Sequence, residues 1–220
     1  MSASPAAWEP RPRPGRVVLE GHYCRLEPLD PARHAGSLFA ASAAPGAEER
    51  FRYLADPVPD RASFDAWIAR SAASEDPLFH SVVDRVTGRC EGRQAYLRLT
   101  PEHGVIEIGH ILWGPAIART RVATEALALY ARHAFDALGY RRFEWKCNAL
   151  NEASRRAALR FGFAYEGTFR QHMVVKGLNR DTAWFAMTDG DWPRVSHALD
   201  RWLDPSNFDG DGRQRQRLQV

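Results

Sequence analysis

Apolar positions along the chain recur at two spacings and divide it into short strands and longer helices. Residues 16–29, RVVLEGHYCRLEPL, read as a strand pair or one bent strand turning at Gly21. Pro31 opens a helical stretch to about Ala44. Phe64, Trp67 and Ile68, at three-and-four spacing, mark a second helix over 61–73. Three strand-like runs follow, LFHSVVD, CEGRQAYLRLT and GVIEIGHILW. The separators TG (87–88) and PEHG (101–104) are short enough to make them an antiparallel meander. Over 121–138, Ala123, Leu127, Tyr130, Ala134 and Leu138 form one apolar helix face, stopped by Gly139.

RRFEWKC then alternates as a strand does. In NEASRRAALRFGF, Asn151 is placed as an N-cap, Glu152 suits the positive first turn, and Gly162 fits the left-handed position after the helix. FAYEGTFRQHMVV and RDTAWFAM form two strands joined at KGLN, and a last helix starts near Asp191-Trp192-Pro193. The order is β-α-α-β-β-β-α-β-α-β-β-α. The helix between the third meander strand and RRFEWKC implies one parallel strand pair in a mostly antiparallel sheet.

The chain has 220 residues, 45% of them hydrophobic, enough for one sizeable core. Repeats and composition breaks are absent. The organisation expected is a Pro-rich extension over 1–15, a single domain over 16–204, and a polar, loose tail over 205–220. The extension carries four prolines and is read as extended or disordered, with Trp8 pinned to the body.

Thirty basic residues face 27 acidic ones, a net charge of +3. That balance suits an anionic small ligand and disfavours a dedicated nucleic-acid binder. The basic tail GRQRQR is too short to serve RNA without an aromatic platform. Three widely spaced cysteines (Cys24, Cys90, Cys147) suggest free thiols in a reducing compartment. With no CxxC, HExxH or HxxxH spacing, no metal site is expected. The N-terminus has no signal-peptide core, and no apolar run approaches the roughly 20 residues of a membrane span. The expectation is a cytoplasmic protein without a membrane partner.

Four stretches, LEPLDPARHA, IEIGHI, 123–167 and RDTAWFAMTDGDW, resemble the GNAT superfamily of acyl-CoA-dependent N-acyltransferases. The branch most similar is that of the ribosomal-protein N-terminal alanine acetyltransferases. With their spacers the stretches cover roughly 17–195, and TEA, N..S and GF..EG at their distances within 123–167 are the most specific part. The resemblance implies an α/β (α+β) fold with a mixed, mostly antiparallel sheet flanked by helices. It also implies acetyl transfer from acetyl-CoA, used as co-substrate, to a primary amine in a ternary complex. The acceptor is either a small molecule or a peptide N-terminus, and the protein a monomer or homodimer. A non-catalytic acyl-CoA-binding module is the alternative.

The family's turn, Q/R-x-x-G-x-G/A, falls on Ala118–Ala123, where only the final Ala matches. Backbone N–H groups at a helix start bind phosphate without requiring glycine. The pyrophosphate is therefore expected on Arg119, Thr120, Arg121, Val122, Ala123 and Thr124, with the two arginines adding charge or adding bulk. By resemblance, Ile111, Leu112 and Trp113 present backbone to the pantetheine arm. Asn151 contacts the arm, and Ser154 lies near the sulfur as proton donor. Ala158 stands where many relatives have a tyrosine, which favours Ser154 or a water as the acid.

Three residues are candidates for the general base: Glu107, His110 and His172, the last beside Met173, where the branch places a glutamate. Strand alternation predicts that Glu107 and His110 cannot both face the acceptor cleft. His110 is the slight preference, because it is nearer the thioester end and neutral imidazole is a ready base. Glu166 and Asp181 are read as fold or rim residues.

Overall fold

The structure is a computed structural model describing residues 8–220; residues 1–7 of the extension lie outside the described residues. Eight strands form one sheet in the order β1-β2-β3-β4-β5-β6-β8-β7. They are β1 Leu19–Glu20, β2 Cys24–Pro28, β3 Leu78–Asp84, β4 Cys90–Thr100, β5 Val105–Trp113, β6 Arg142–Asn148, β7 Ala164–Val175 and β8 Leu178–Thr188. Every neighbouring pair is antiparallel except β5 and β6, which the crossover helix joins in parallel. The helices are α1 Pro31–Ala43, α2 Ala47–Phe51, α3 Arg61–Ala73, α4 Arg121–Arg132, α5 Glu152–Arg160 and α6 Trp192–Leu203.

Local chemistry sets these boundaries. The Asp30 carboxylate caps α1, Thr120 caps α4 and Asn151 caps α5, each accepting a backbone N–H of the first turn. Gly162 follows α5 at φ +88, where a side chain would be strained. The helix read over 121–138 is α-helical only to Arg132. His133–Ala137 form a π turn, so the same face continues with a wider last turn. The short α2 was not foreseen; Pro45-Gly46, with Gly46 at φ +85, is the signal for its start.

One sheet face is covered by α4, α5 and α6 around Ile106, Ile108, Tyr130, Phe143 and Phe185. On the other, α1 and α3 cover only the β2–β4 side, around Leu38, Phe64, Ile68, Phe79 and Ala95. Past β4 that face stays open and carries the polar row described below.

The "TEA" of α4 is a fold determinant. Glu125 is buried and accepts the N–H groups of His22, Tyr23 and Cys24 at 2.7, 2.6 and 2.7 Å. A Cβ on Gly21 would fall 2.4 Å from Glu125 Oε2, so only glycine fits the β1–β2 turn. His80 is equally committed. Its Nδ1 accepts the Tyr130 hydroxyl at 2.8 Å and its Nε2 donates to Val17 O at 3.1 Å. Burial drops the His80 pKa to about 4. The unfolded chain therefore takes up a proton at higher pH than the folded one. Stability is full above about pH 6.5 and falls as pH drops toward 4, by about 3 kcal/mol in all. Thermal denaturation across pH 4–7 should show this limb, and His80→Gln should make it shallower, leaving the part contributed by other buried histidines.

The tail is not loose. Pro205–Asn207 form a 3₁₀ turn, Phe208 is buried and bridges to Gln214, and Trp202 Nε1 donates to Gln214 Oε1 at 2.9 Å. At the other end Trp8 is pinned as expected, donating to Glu102 O at 2.8 Å under the Arg11 guanidinium.

Candidate active site

Strands β5 and β6 pair from Val105↔Arg142 to Ile108↔Trp145 and no further, although they run on to Trp113 and Asn148. The two strands splay, and β5 keeps backbone groups free on its β6 side. A cleft of about 1110 Å³ opens at this wedge. It is lined from the helical side by Trp145, Cys147, Ser154 and Phe161, and from the open side by Glu107, Lys146, Thr182 and Arg180. It is therefore lined from both faces of the sheet.

On the helical side the turn 118–121 leads into α4. The N–H of Arg119, Arg121 and Ala123 has no acceptor among the described residues, so three donors stay free at the positive end of a helix. Three of the expected positions are corrected: the N–H groups of Thr120, Val122 and Thr124 go to Ile117 O at 3.1 Å, the Thr120 side chain at 3.2 Å and Thr120 O at 3.3 Å, and the Val122 side chain lies in the core. A threonine before the helix start was the signal for that cap. Arg119 sits at φ +63, doing without glycine what a glycine turn does with ease. Arg121 neither fills the turn nor points along it; its guanidinium stacks 4.5 Å from the Tyr23 ring and 5.1 Å from Phe208. The tail residues Gly212, Arg213 and Gln214 complete this end of the cleft, a contribution the sequence reading missed.

Asn151 and Ser154 open α5 against the wedge. Asn151 Oδ1 accepts Ser154 N–H at 3.0 Å, and Ser154 Oγ accepts the Trp145 indole N–H at 2.9 Å. Being an acceptor there leaves the Ser154 proton available to donate. Ala158 is fully buried and supplies no acid. Burial pushes the Cys147 thiol up, keeping it protonated and a poor nucleophile.

On the open side all three base candidates line the cleft. The exclusion between Glu107 and His110 fails because β5 bulges there. Arg93↔Leu112 and Ala95↔Gly109 leave two β5 residues opposite one, and His110 takes φ +50. His110 thereby turns toward Phe79, their rings 5.2 Å apart. Burial, then the nearby Arg93, drop its pKa to about 4. Burial also raises Glu107, opposed by Lys146 Nζ at 2.9 Å and Arg98 Nε at 3.6 Å. His172 is lowered by burial and then by Arg98, Arg180 and Lys146, and its Nδ1 lies 2.9 Å from Thr182 Oγ1. Glu166 pairs with Arg142 at 2.5 Å, and Asp181 accepts from Gln171 and Asn179, so both hold the fold.

Two contacts bridge the acceptor side. Lys176 Nζ donates to Phe51 O at 2.9 Å and Tyr53 Oη to Leu150 O at 3.2 Å, tying the β7–β8 hairpin and the β6–α5 turn to the α2 region. Among the described residues no cluster could hold a metal ion, and no helix is long and apolar enough to cross a membrane.

Residues 24–164 match the family model "Acetyltransferase (GNAT) domain". A GCN5-related N-acetyltransferase from Brucella melitensis is 53% identical over 96% of both chains, with a TM-score of 0.94. A probable GNAT-family acetyltransferase from Chromobacterium violaceum is 40% identical, over 88% of this chain and 96% of that one, with a TM-score of 0.80. Among curated proteins, the uncharacterized N-acetyltransferase YoaA of Bacillus subtilis is 34% identical over 98 residues, 44% of this chain. The chain spans only 55% of that relative's length.

Proposed function

Because the chain belongs to the GNAT acetyltransferase family, we propose that it transfers an acetyl group from acetyl-CoA to a primary amine by direct attack in a ternary complex. The observation that carries this reading is the β5–β6 wedge opening beside three free N–H groups at the start of α4. Those donors suit a pyrophosphate, the free edge of β5 around Ile111, Leu112 and Trp113 suits an amide-bearing arm, and Asn151 flanks the same path. Acetyl-CoA supplies the activated thioester.

The chain's own groups then move protons. The amine nitrogen bonds to the thioester carbonyl carbon as the C–S bond breaks. Glu107 takes the amine proton through a water, and Ser154 protonates the departing thiolate, regaining its proton from solvent. Glu107 is preferred to His110 because a base near pKa 4 is too weak for an ammonium, whereas burial strengthens a carboxylate. His172, bonded to Thr182 on the acceptor side, is assigned to the acceptor.

Two measurements test this reading. Calorimetry with CoA should show saturable binding, and a thiol-release assay with acetyl-CoA should show turnover over a panel of primary amines. Binding without turnover for any amine would favour the acyl-CoA-binding module, to which the apolar Ala158 and Met173 also point. Ser154→Ala should lower kcat by about tenfold or more while the KM for acetyl-CoA changes less. Unchanged turnover would reduce Ser154 to a helix-start residue.

A further inference from the structure

The open face of the sheet keeps an account of charge. By strand register Glu107, Glu144, Lys146, Trp184, Thr182 and Arg180 share that face. Arg98, Glu107, Lys146, Glu144, Arg142 and Glu166 form one continuous chain of ion pairs, three cations against three carboxylates. Arg180 stands outside it. It makes no ion pair and no side-chain hydrogen bond among the described residues, and its Nε is sealed from water without a partner. Its neighbour Asp181 turns instead to Gln171 and Asn179. Burial lowers the Arg180 pKa, against the partial compensation that Glu107 supplies without an ion pair. A half-buried guanidinium with an orphaned donor is costly unless something anionic meets it.

Resting on the acetyltransferase reading, we propose that the acceptor half of the cleft contains an anion subsite centred on Arg180, which takes a carboxylate or phosphate borne by the amine acceptor itself. Arg180 lines the cleft with His172 and Thr182, whose ring nitrogen and hydroxyl add hydrogen-bonding capacity. Arg98, Lys146 and Arg180 all act on His172, so their fields converge at one place. Glu107 on β5 and Arg180 on β8 both line the cleft with β6 between their strands, which puts the amine end toward the carboxylate and the anion end toward the guanidinium. Tyr53, held by its bond to Leu150 O, also lines the cleft.

The test has a binding arm and a turnover arm. CoA-saturated protein is titrated with inorganic phosphate while the His172 imidazole resonance, assigned with His172→Gln, is followed by NMR. A saturable shift toward the protonated form is expected, with its midpoint moved up by about tenfold or more in Arg180→Gln. In turnover, β-alanine is paired with its amide, and alanyl-aspartyl amide with alanyl-asparaginyl amide. The anionic member of at least one pair should lead in kcat/KM by about tenfold, and the ratio should fall to about one in Arg180→Gln. Which pair responds distinguishes a small metabolite from a peptide end. No saturable shift, a shift indifferent to Arg180→Gln, or neutral members turned over as well as anionic ones would overturn the subsite while leaving the transferase reading standing. Phosphate binding that depends on Arg180, with no amine turned over, would sink the transferase reading and leave the anion subsite in place.

Discussion

Glu107→Gln is expected to lower kcat/KM by about 10²–10⁴-fold, the usual contribution of a positioned general base. Glutamine keeps the size and much of the polar contact but cannot accept the proton. The pH dependence supplies a second signature. Because burial raises Glu107, the acidic limb of wild-type kcat/KM should lie above the ordinary carboxylate range and should flatten in the variant. His110→Gln should keep both the limb and most of the rate. Assays of the two variants from pH 5 to 9, with thermal melts to confirm folding, decide the matter. A Glu107→Gln enzyme with wild-type rate and profile would mean that the amine is deprotonated by ordered water alone.

Glu125→Ala should be the most damaging fold variant, costing about 3–5 kcal/mol. The change strips the acceptor from three N–H groups at the β1–β2 turn, two of them buried, and nothing else stands within reach to replace it. Glu125→Gln should be milder, since an amide oxygen still accepts while its NH₂ would oppose the turn's donors. Chemical denaturation of the three proteins gives the order. Equal midpoints for Glu125→Ala and wild type would show that water fills the nest. Glu125 belongs to the helix whose start carries the free N–H donors, so loosening the turn should also weaken CoA binding.

What the sequence made legible was governed by near neighbours. Asn151 caps its own helix three residues on, Gly162 needs its φ whatever surrounds it, and TG or PEHG leaves two strands little choice but to pair back. The order of elements along the chain, the meander and the single parallel pair followed from these. What escaped depended on distant parts of the chain. Glu125 and the turn it holds are about a hundred residues apart, so "TEA" marked a family without revealing the nest. The tail reads as polar because Phe208 and Trp202 are two residues among many charged ones; only the folded body shows where they dock. The bulge at His110 is the sharpest case. Alternation is a sound rule for a regular strand, and one left-handed residue overturns it. Arg98, Arg119 and Gln171 are also left-handed without being glycine, at or beside the same cleft, and no local residue preference announces them.

The splay of β5 from β6 has an evolutionary consequence. A seat made from main-chain donors and acceptors is indifferent to which side chains hang from it, provided the strand and helix remain. Selection can then let residues drift around the wedge while preserving its geometry. A comparison that reads only side chains loses sight of such a seat early. This gives a physical reason why residues 118–123 match the expected turn at one position, in a chain that superposes on its Brucella relative with a TM-score of 0.94.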